Sequence, residues 1–316
     1  MQTIENEIRA AREAALVQPR PDLGALVVTG SDRREWLNGL VTCDLKAKSA
    51  GEGAYGLAVG KTGKILAEVW VVFTEDHIAL AVPEAKLALL REHFERHLIM
   101  EDVEVQGAEG RTWVAVHGPR AKDLVTEARA LGADAAIVDA TGQGEMAAAL
   151  SAPGQGEALA SALLARAGEA AARATEAGFE QLRVIRGVPR FGVDFDEHSM
   201  PQEASLERLA VSFAKGCYLG QEAVFMLEKR GHAKKRLMRL AVERLEEGEG
   251  ETKLAPGAEI TLADGTVVGV VTSVAPVPEA GRERALGHVK YKHATPGAAL
   301  VIGGRPAEAL GLAGEV

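Results

Sequence analysis

Residues 211–237 read VSFAKGCYLGQEAVFMLEKRGHAKKRL and hold Cys217, one of only two cysteines in 316 residues. Lys215-Gly216-Cys217 sets a thiol behind a glycine and beside a lysine, and Gly220-Gln221-Glu222 follows. Glycines at 216 and 220 permit positive φ or a close approach of backbone to a ligand. A cation near a thiol favours the reactive thiolate. Gln221 offers a donor and an acceptor, and Glu222 offers acceptor oxygens. The same residues also suit a turn that packs a small inert cysteine. In that reading the basic run Lys229, Arg230, His232, Lys234, Lys235 and Arg236 is a solvated linker.

Taken whole, Lys215-Gly216-Cys217-Tyr218-Leu219-Gly220-Gln221-Glu222 resembles the signature of the YgfZ-type folate-binding proteins. These are relatives of the glycine-cleavage T-protein, an aminomethyltransferase. Val211-Ser212-Phe213 and Arg230-Gly231 match the style of the same family. Asp196-Glu197-His198 followed by Met200-Pro201-Gln202-Glu203 resembles the T-protein, where Asp-Glu-His precedes Pro-x-Glu. Near the start, a strand, Gly30-Ser31-Asp32 and a helix leading into Leu40-Val41-Thr42-Cys43-Asp44 carry the likeness further.

Composition bounds the alternatives. Hydrophobic residues make up 47% and charged residues 26%, which is globular and not disordered. A net charge of −9 argues against a general DNA or RNA binder but leaves room for a local basic patch. Two cysteines make no disulfide framework. The N-terminus MQTIENEIRAAREAAL lacks the apolar core of a signal peptide, and no apolar run reaches the roughly 18 residues that span a bilayer. The expectation is a cytoplasmic protein with reduced thiols and no membrane contact.

Along the chain, residues 2–17 read as a helix stopped by Gln18-Pro19-Arg20-Pro21, and Asp32 with Glu35 has capping-box spacing. Residues 54–59 and 64–73 read as a hairpin around Gly60-Lys61-Thr62-Gly63. Helices are expected over 83–98, 157–172 and 176–186, with strands at 25–28, 78–82, 103–105, 113–116 and 136–138. Irregular alternation with hairpins favours an α+β fold with antiparallel sheets over a doubly wound parallel one. After Arg236, six short strands at 237–242, 258–262, 266–274, 284–290, 298–302 and 305–310 predict a small β-barrel. The expected organisation is a T-protein-like α+β module over 1–235 and a C-terminal barrel over 236–316. The module has two ferredoxin-like-type lobes, about 1–108 and 109–235, in sequence or interwoven. The resemblance implies that three lobes surround a central folate pocket with the Cys217 sulfur at its mouth.

The resemblance also implies tetrahydrofolate, or another reduced folate, as cofactor. It implies a role supporting iron–sulfur cluster assembly or repair and dependent enzymes such as tRNA-thiolating ones. The partners implied are iron–sulfur proteins or their assembly machinery, with tRNA contact as a further possibility and no direct DNA binding. Cys217 is the candidate reactive group. Glu203, Lys215, Gly216, Gly220, Gln221, Glu222 and Arg230 are the candidate folate contacts, with Lys234 and Arg236 available for the anionic tail. One cysteine cannot hold a stable cluster, so the thiol would handle cargo transiently.

A second reading is a folate-dependent aminomethyltransferase. Against it, the T-protein's catalytic aspartate position falls on Ala67 or Glu68 in Gly63-Lys64-Ile65-Leu66-Ala67-Glu68, leaving Asp194 or Asp196 as substitutes. The family's Leu-Arg-Leu-Glu-Ala-Gly run also departs, to Leu182-Arg183-Val184-Ile185-Arg186-Gly187. A third reading is a non-enzymatic RNA- or protein-binding module using 229–239. His93 and His97 have i, i+4 ligand spacing, but no third ligand is visible and no metal is expected. Trp36, Trp70 and Trp113 sit in apolar contexts and read as core.

Overall fold

The computed structural model describes residues 3–138, 146–244 and 254–315. The chain divides into two compact units, Met1–Thr175 with Ala210–Gln221, and Glu176–Leu209 with Glu222–Val316. The first begins α1 (Ile4–Glu13), β1 (Leu16–Arg20), β2 (Leu23–Thr29), α2 (Arg33–Asn38), β3 (Gly53–Val59) and β4 (Ile65–Phe73). It continues β5 (Ile78–Pro83), α3 (Leu87–Glu95), β6 (Glu104–Gly107), β7 (Trp113–His117) and α4 (Ala121–Thr126). Then come β8 (Ala133–Val138), β9 (Met146–Ser151), α5 (Gly156–Ala167) and β10 (Ala172–Arg173).

Two five-stranded sheets result, in the orders β3-β4-β5-β2-β6 and β10-β1-β7-β9-β8. Every pairing is antiparallel except β1 with β10. Side chains alternate between faces along a strand, and the sequence uses both faces. Ala67, Val69, Val71 and Phe73 of β4 pack with Trp36 and Leu37 of α2 and Leu90 and Phe94 of α3. The intervening Trp70 and Val72 meet Trp113, Ala148 and Leu150 of the other sheet. That sheet turns Val114, Val116, Ala147 and Ala149 to Leu124 of α4 and Leu159 and Leu163 of α5. The layers are thus helices, sheet, sheet, helices. Strand β1 comes from the N-terminus yet lies beside β7, so the two sheets interweave in sequence.

Two local expectations fail for identifiable reasons. The helix expected over 2–17 ends at Glu13, and residues 16–20 are a strand with Pro19 inside it. The Val17 carbonyl accepts from Ala174 N at 2.8 Å, so Pro19, of the same parity, turns its nitrogen to a side that β10 no longer covers. No ladder donor is lost there. Asp32 caps no helix with its side chain; its carboxylate accepts from Asp102 N at 2.8 Å instead.

The second unit holds α6 (Glu176–Arg186), α7 (Glu207–Ala210, ending at the unit boundary), α8 (Gln221–Arg230, starting at it) and six strands. These are β11 (Lys235–Glu243), β12 (Glu259–Thr261), β13 (Val267–Val274), β14 (Arg282–Lys290), β15 (Ala299–Ile302) and β16 (Arg305–Leu312). They close into a barrel in the order β11-β14-β13-β12-β15-β16, filled by Leu240, Val242, Ile260, Val271, Leu300 and Ile302 among others. Closure leaves no free edge.

Asp194 ties the 190–199 loop to α6 and β13. Its carboxylate accepts from Arg183 Nη1 at 2.7 Å, Ser273 Oγ at 2.7 Å, Thr272 Oγ1 at 2.5 Å and Arg190 N at 3.0 Å. Both Asp194 and Arg183 are buried. Asp194→Ala would leave a buried guanidinium half-compensated and should destabilise the chain by about 3 kcal/mol. Urea unfolding of the full chain measures this, and a loss under about 1 kcal/mol would deny the loop its anchor.

Candidate functional site

The 215–222 signature sits in the first unit, in a segment fastened to the loop after α2. Ser212 N donates to Thr42 O at 2.9 Å, and Thr42 Oγ1 donates to Ala210 O at 2.6 Å. Leu219 N donates to Gly39 O at 2.9 Å. Between these, the buried Lys215 ammonium donates to three carbonyls: Asn38 O at 2.7 Å, Val41 O at 2.8 Å and Cys43 O at 2.5 Å. An ammonium has three protons, so the set is complete. Gly220 takes φ +79° where the segment crosses the β3–β4 turn, and a Cβ there would lie 2.3 Å from Gly60 O. Only glycine satisfies both the dihedral and the gap.

The two cysteines have opposite surroundings. Cys43 is buried against Gly56, and burial raises its thiol to about 11, so it is no thiolate source. Cys217 is exposed, on the turn between Lys215 and Tyr218. Lys215 has no proton left to donate to this thiol, because its ammonium gives all three to the carbonyl cage. A different cation, Lys46 Nζ, comes within 3.7 Å of where a Cβ on Gly216 would sit. Tyr218 is buried, and the Lys215 Nζ lies 5.4 Å from its ring centroid.

Gln221 opens α8, and its half-buried side-chain amide has no hydrogen-bond partner among the described residues. In the second unit, Glu222 is exposed in the first turn of α8 and Arg230 is exposed in its last. Glu203 is half-buried; its Oε2 accepts from Met200 N at 3.1 Å, and Oε1 has no partner among the described residues. Arg236 is not available for a ligand tail: it pairs with Glu207 and lies against Ser205.

The carboxylates weighed for transferase chemistry are all engaged. Ala67 is in the core, and Glu68 is buried, accepting from Tyr55 Oη at 2.9 Å. Asp194 is sealed in its ion pair. Asp196 accepts from His198 N at 2.9 Å and Ser199 Oγ at 3.0 Å. Among the described residues no group of three or more His, Cys, Asp or Glu could hold a metal. His97 Nδ1 lies 2.8 Å from the carbonyl of His93. Trp36 and Trp113 are buried in the core, and Trp70 packs at the sheet interface. What the sequence concealed is the receiving loop, Asn38 to Cys43, whose carbonyls carry no residue-type signal.

Burial also pushes Lys215 down to about 8 from 10.5. Between those values the unfolded chain binds the proton more firmly than the folded one. This group's contribution to stability therefore rises as pH climbs through about 8 to 10.5 and falls away below. Lys215→Met strips the donors from three carbonyls and should cost about 3 kcal/mol at neutral pH. Melting curves of both proteins across pH 8 to 10.5 should show the wild type gaining on the variant as pH rises. A constant gap would contradict a buried, titrating ammonium.

Known proteins resemble this arrangement along most of its length. Residues 1–148 match the model of the GCVT N-terminal domain, and residues 234–311 match that of the CAF17 C-terminal beta-barrel domain. The tRNA-modifying protein YgfZ of Vibrio vulnificus strain CMCP6 is 27% identical over 226 residues, 70% of this chain and 68% of that protein. The mitochondrial aminomethyltransferase of Gallus gallus is 27% identical over 303 residues, 87% of this chain and 74% of its own. Among solved structures, the glycine cleavage system aminomethyltransferase T from Bartonella henselae superposes with a TM-score of 0.80 at 18% identity. It covers 98% of this chain and 89% of its own. No helix among the described residues is long and apolar enough to cross a membrane. With the 215–222 signature and the order of the two domain matches, the chain is similar to the YgfZ-type folate-binding proteins, kin of the glycine-cleavage T-protein, and it shares the fold of the latter.

Proposed function

We propose that this chain binds tetrahydrofolate and supports iron–sulfur-dependent enzymes, tRNA-thiolating ones among them, with Cys217 as its reactive group. The observation that carries the reading is the contrast in thiols: Cys217 is exposed on an anchored turn, while Cys43 is buried. A thiol kept for packing would be inside. That several similar proteins are named tRNA-modifying protein YgfZ supports the link to tRNA modification.

The residues present suit a reduced folate. The pterin ring presents amino and ring N–H donors, and the free oxygen of Glu203 is an acceptor for them. The Gln221 amide can donate and accept. Gly216 lets backbone approach a flat ring, whereas the space beside Gly220 is already filled by Gly60 O, so Gly220 shapes the segment and does not admit the ring. Arg230, exposed and without an ion pair among the described residues, suits a carboxylate of the glutamate tail, and Glu222 adds acceptor oxygens. Lys215 contributes by holding the segment. Bound tetrahydrofolate would supply a one-carbon carrier. The iron–sulfur cargo would meet the thiol transiently, since a single cysteine gives one ligand where a stable cluster takes four.

Calorimetry with tetrahydrofolate should show binding to wild type and a loss of about tenfold or more in Glu203→Ala, the cost of removing a charged acceptor. In cells lacking the protein, Cys217→Ala should bind folate normally yet fail to restore iron–sulfur enzyme activity. Full rescue would reduce Cys217 to a bystander, and absence of folate binding by wild type would end the cofactor reading.

A further inference from the structure

The basic run of the sequence is not a linker. Residues 229–235 leave α8 and enter β11, and they meet the end of β14. Lys234 O accepts from Tyr291 N at 3.0 Å, and Lys235 is the register partner of Lys290. His232 stacks on Tyr291, with centroids 4.4 Å apart and planes at 28°. Both rings are exposed, Tyr291 by 44%. Lys229, Arg230, Lys234, Lys290 and Lys292 are exposed on the same two stretches, with Lys235 and His293 half-buried and Lys229 Nζ 5.7 Å from the Phe225 ring centroid.

Among the described residues none of Lys229, Arg230, Lys234, Lys235 or Lys292 pairs with a carboxylate, and Lys290 Nζ donates only to Val267 O, at 2.8 Å. Two carboxylates lie within electrostatic reach of the cluster, Asp196 toward Lys235 and Asp264 toward His293. Asp264 accepts from Thr266 N at 2.9 Å, and Asp196 accepts from His198 N and Ser199 Oγ. Six formal cations thus cluster on one end of the barrel in a chain whose net charge is −9.

We propose that this end of the barrel is a docking surface for single-stranded polynucleotide, with phosphates on the lysines and Arg230 and a base stacked on the His232–Tyr291 pair. The reading goes beyond the folate function and shares only Arg230 with it. Charge alone would suit any polyanion, and the stacked rings decide among them. Residues 229–235 and 290–293 include no Leu, Ile, Met or Phe to enter a lipid surface. An acidic protein would match the cations but leave the flat ring face unused. A polynucleotide strand brings phosphates and π-faces together, and only unpaired bases are free to stack.

The test uses the full chain and a fluorescent oligouridylate of about 12 nucleotides, read by anisotropy beside the matching oligothymidylate. About four phosphate contacts imply that binding weakens ~50-fold between about 50 and about 200 mM salt. Tyr291→Ala should weaken oligouridylate roughly tenfold, the worth of one stacked base, and leave inorganic polyphosphate within about twofold. Tyr291→Phe should keep both. The triple variant Lys229→Glu, Arg230→Glu, Lys234→Glu should abolish both while its circular dichroism and melting match wild type. Preference for either oligonucleotide tells RNA from DNA and supports the surface in both cases. No binding at the lower salt overturns the proposal, as does a triple variant that binds like wild type. Equal losses of oligonucleotide and polyphosphate in Tyr291→Ala, or tighter binding to phosphatidylglycerol vesicles or polyglutamate than to either oligonucleotide, also overturn it.

Discussion

The first unit's candidate site depends on one ammonium. The loop after α2 turns three carbonyls inward, and a buried carbonyl without a donor is costly. Lys215 supplies all three donors from more than 170 residues further along the chain. Burying an ammonium is itself unfavourable, and its charge-assisted hydrogen bonds offset that cost only while every one is made. Arginine would not substitute, because its planar fork cannot converge three donors on one point. The neighbouring bonds at Thr42, Ser212 and Leu219 belong to the same docking, so the segment is set down as a piece.

The placement of Cys217 follows from that docking. With Lys215 below and Tyr218 buried beside it, the chain has little choice but to turn the residue between Gly216 and Tyr218 outward. Gly220 then returns the backbone against Gly60, at a spacing that no side chain tolerates. The lysine two residues before the thiol therefore sets its position through the backbone. The same geometry separates the roles of the two cysteines: the Cys43 carbonyl helps to hold Lys215, while the Cys43 thiol is shut away.

The sequence was most legible where structure is local. The six barrel strands follow from alternation and from turns such as Asp264-Gly265, and α6 from its apolar spacing and Gly187. The 215–222 signature marked the right segment because eight consecutive residues carry it. Legibility failed where a residue's partner is remote. Pro19 read as a helix stop, since only the end of β10 shows that its missing N–H faces nothing. Asp32 read as a cap because Asp102 is 70 residues away. Lys215 read as an activator of its neighbour, since the carbonyls it serves have no residue-type signature. Between the first two barrel strands the sequence reads as an acidic, glycine-containing loop over 243–256, of which residues 245–253 lie outside the described residues.

A shared fold does not carry the T-protein's chemistry into this chain. At the position where that family has its strand aspartate, β4 turns Ala67 into the helix-covered core. Its neighbour Glu68 faces the other way and receives a proton donor from buried Tyr55. Shifting the register by one residue to bring a carboxylate to the Ala67 side would expel Val69, Val71 and Phe73 from the same core. Asp194 cannot take over either, since leaving Arg183 would strand a buried cation. Along residues 210–221, which hold no carboxylate, the group that the docking leaves open to solvent is the Cys217 thiol.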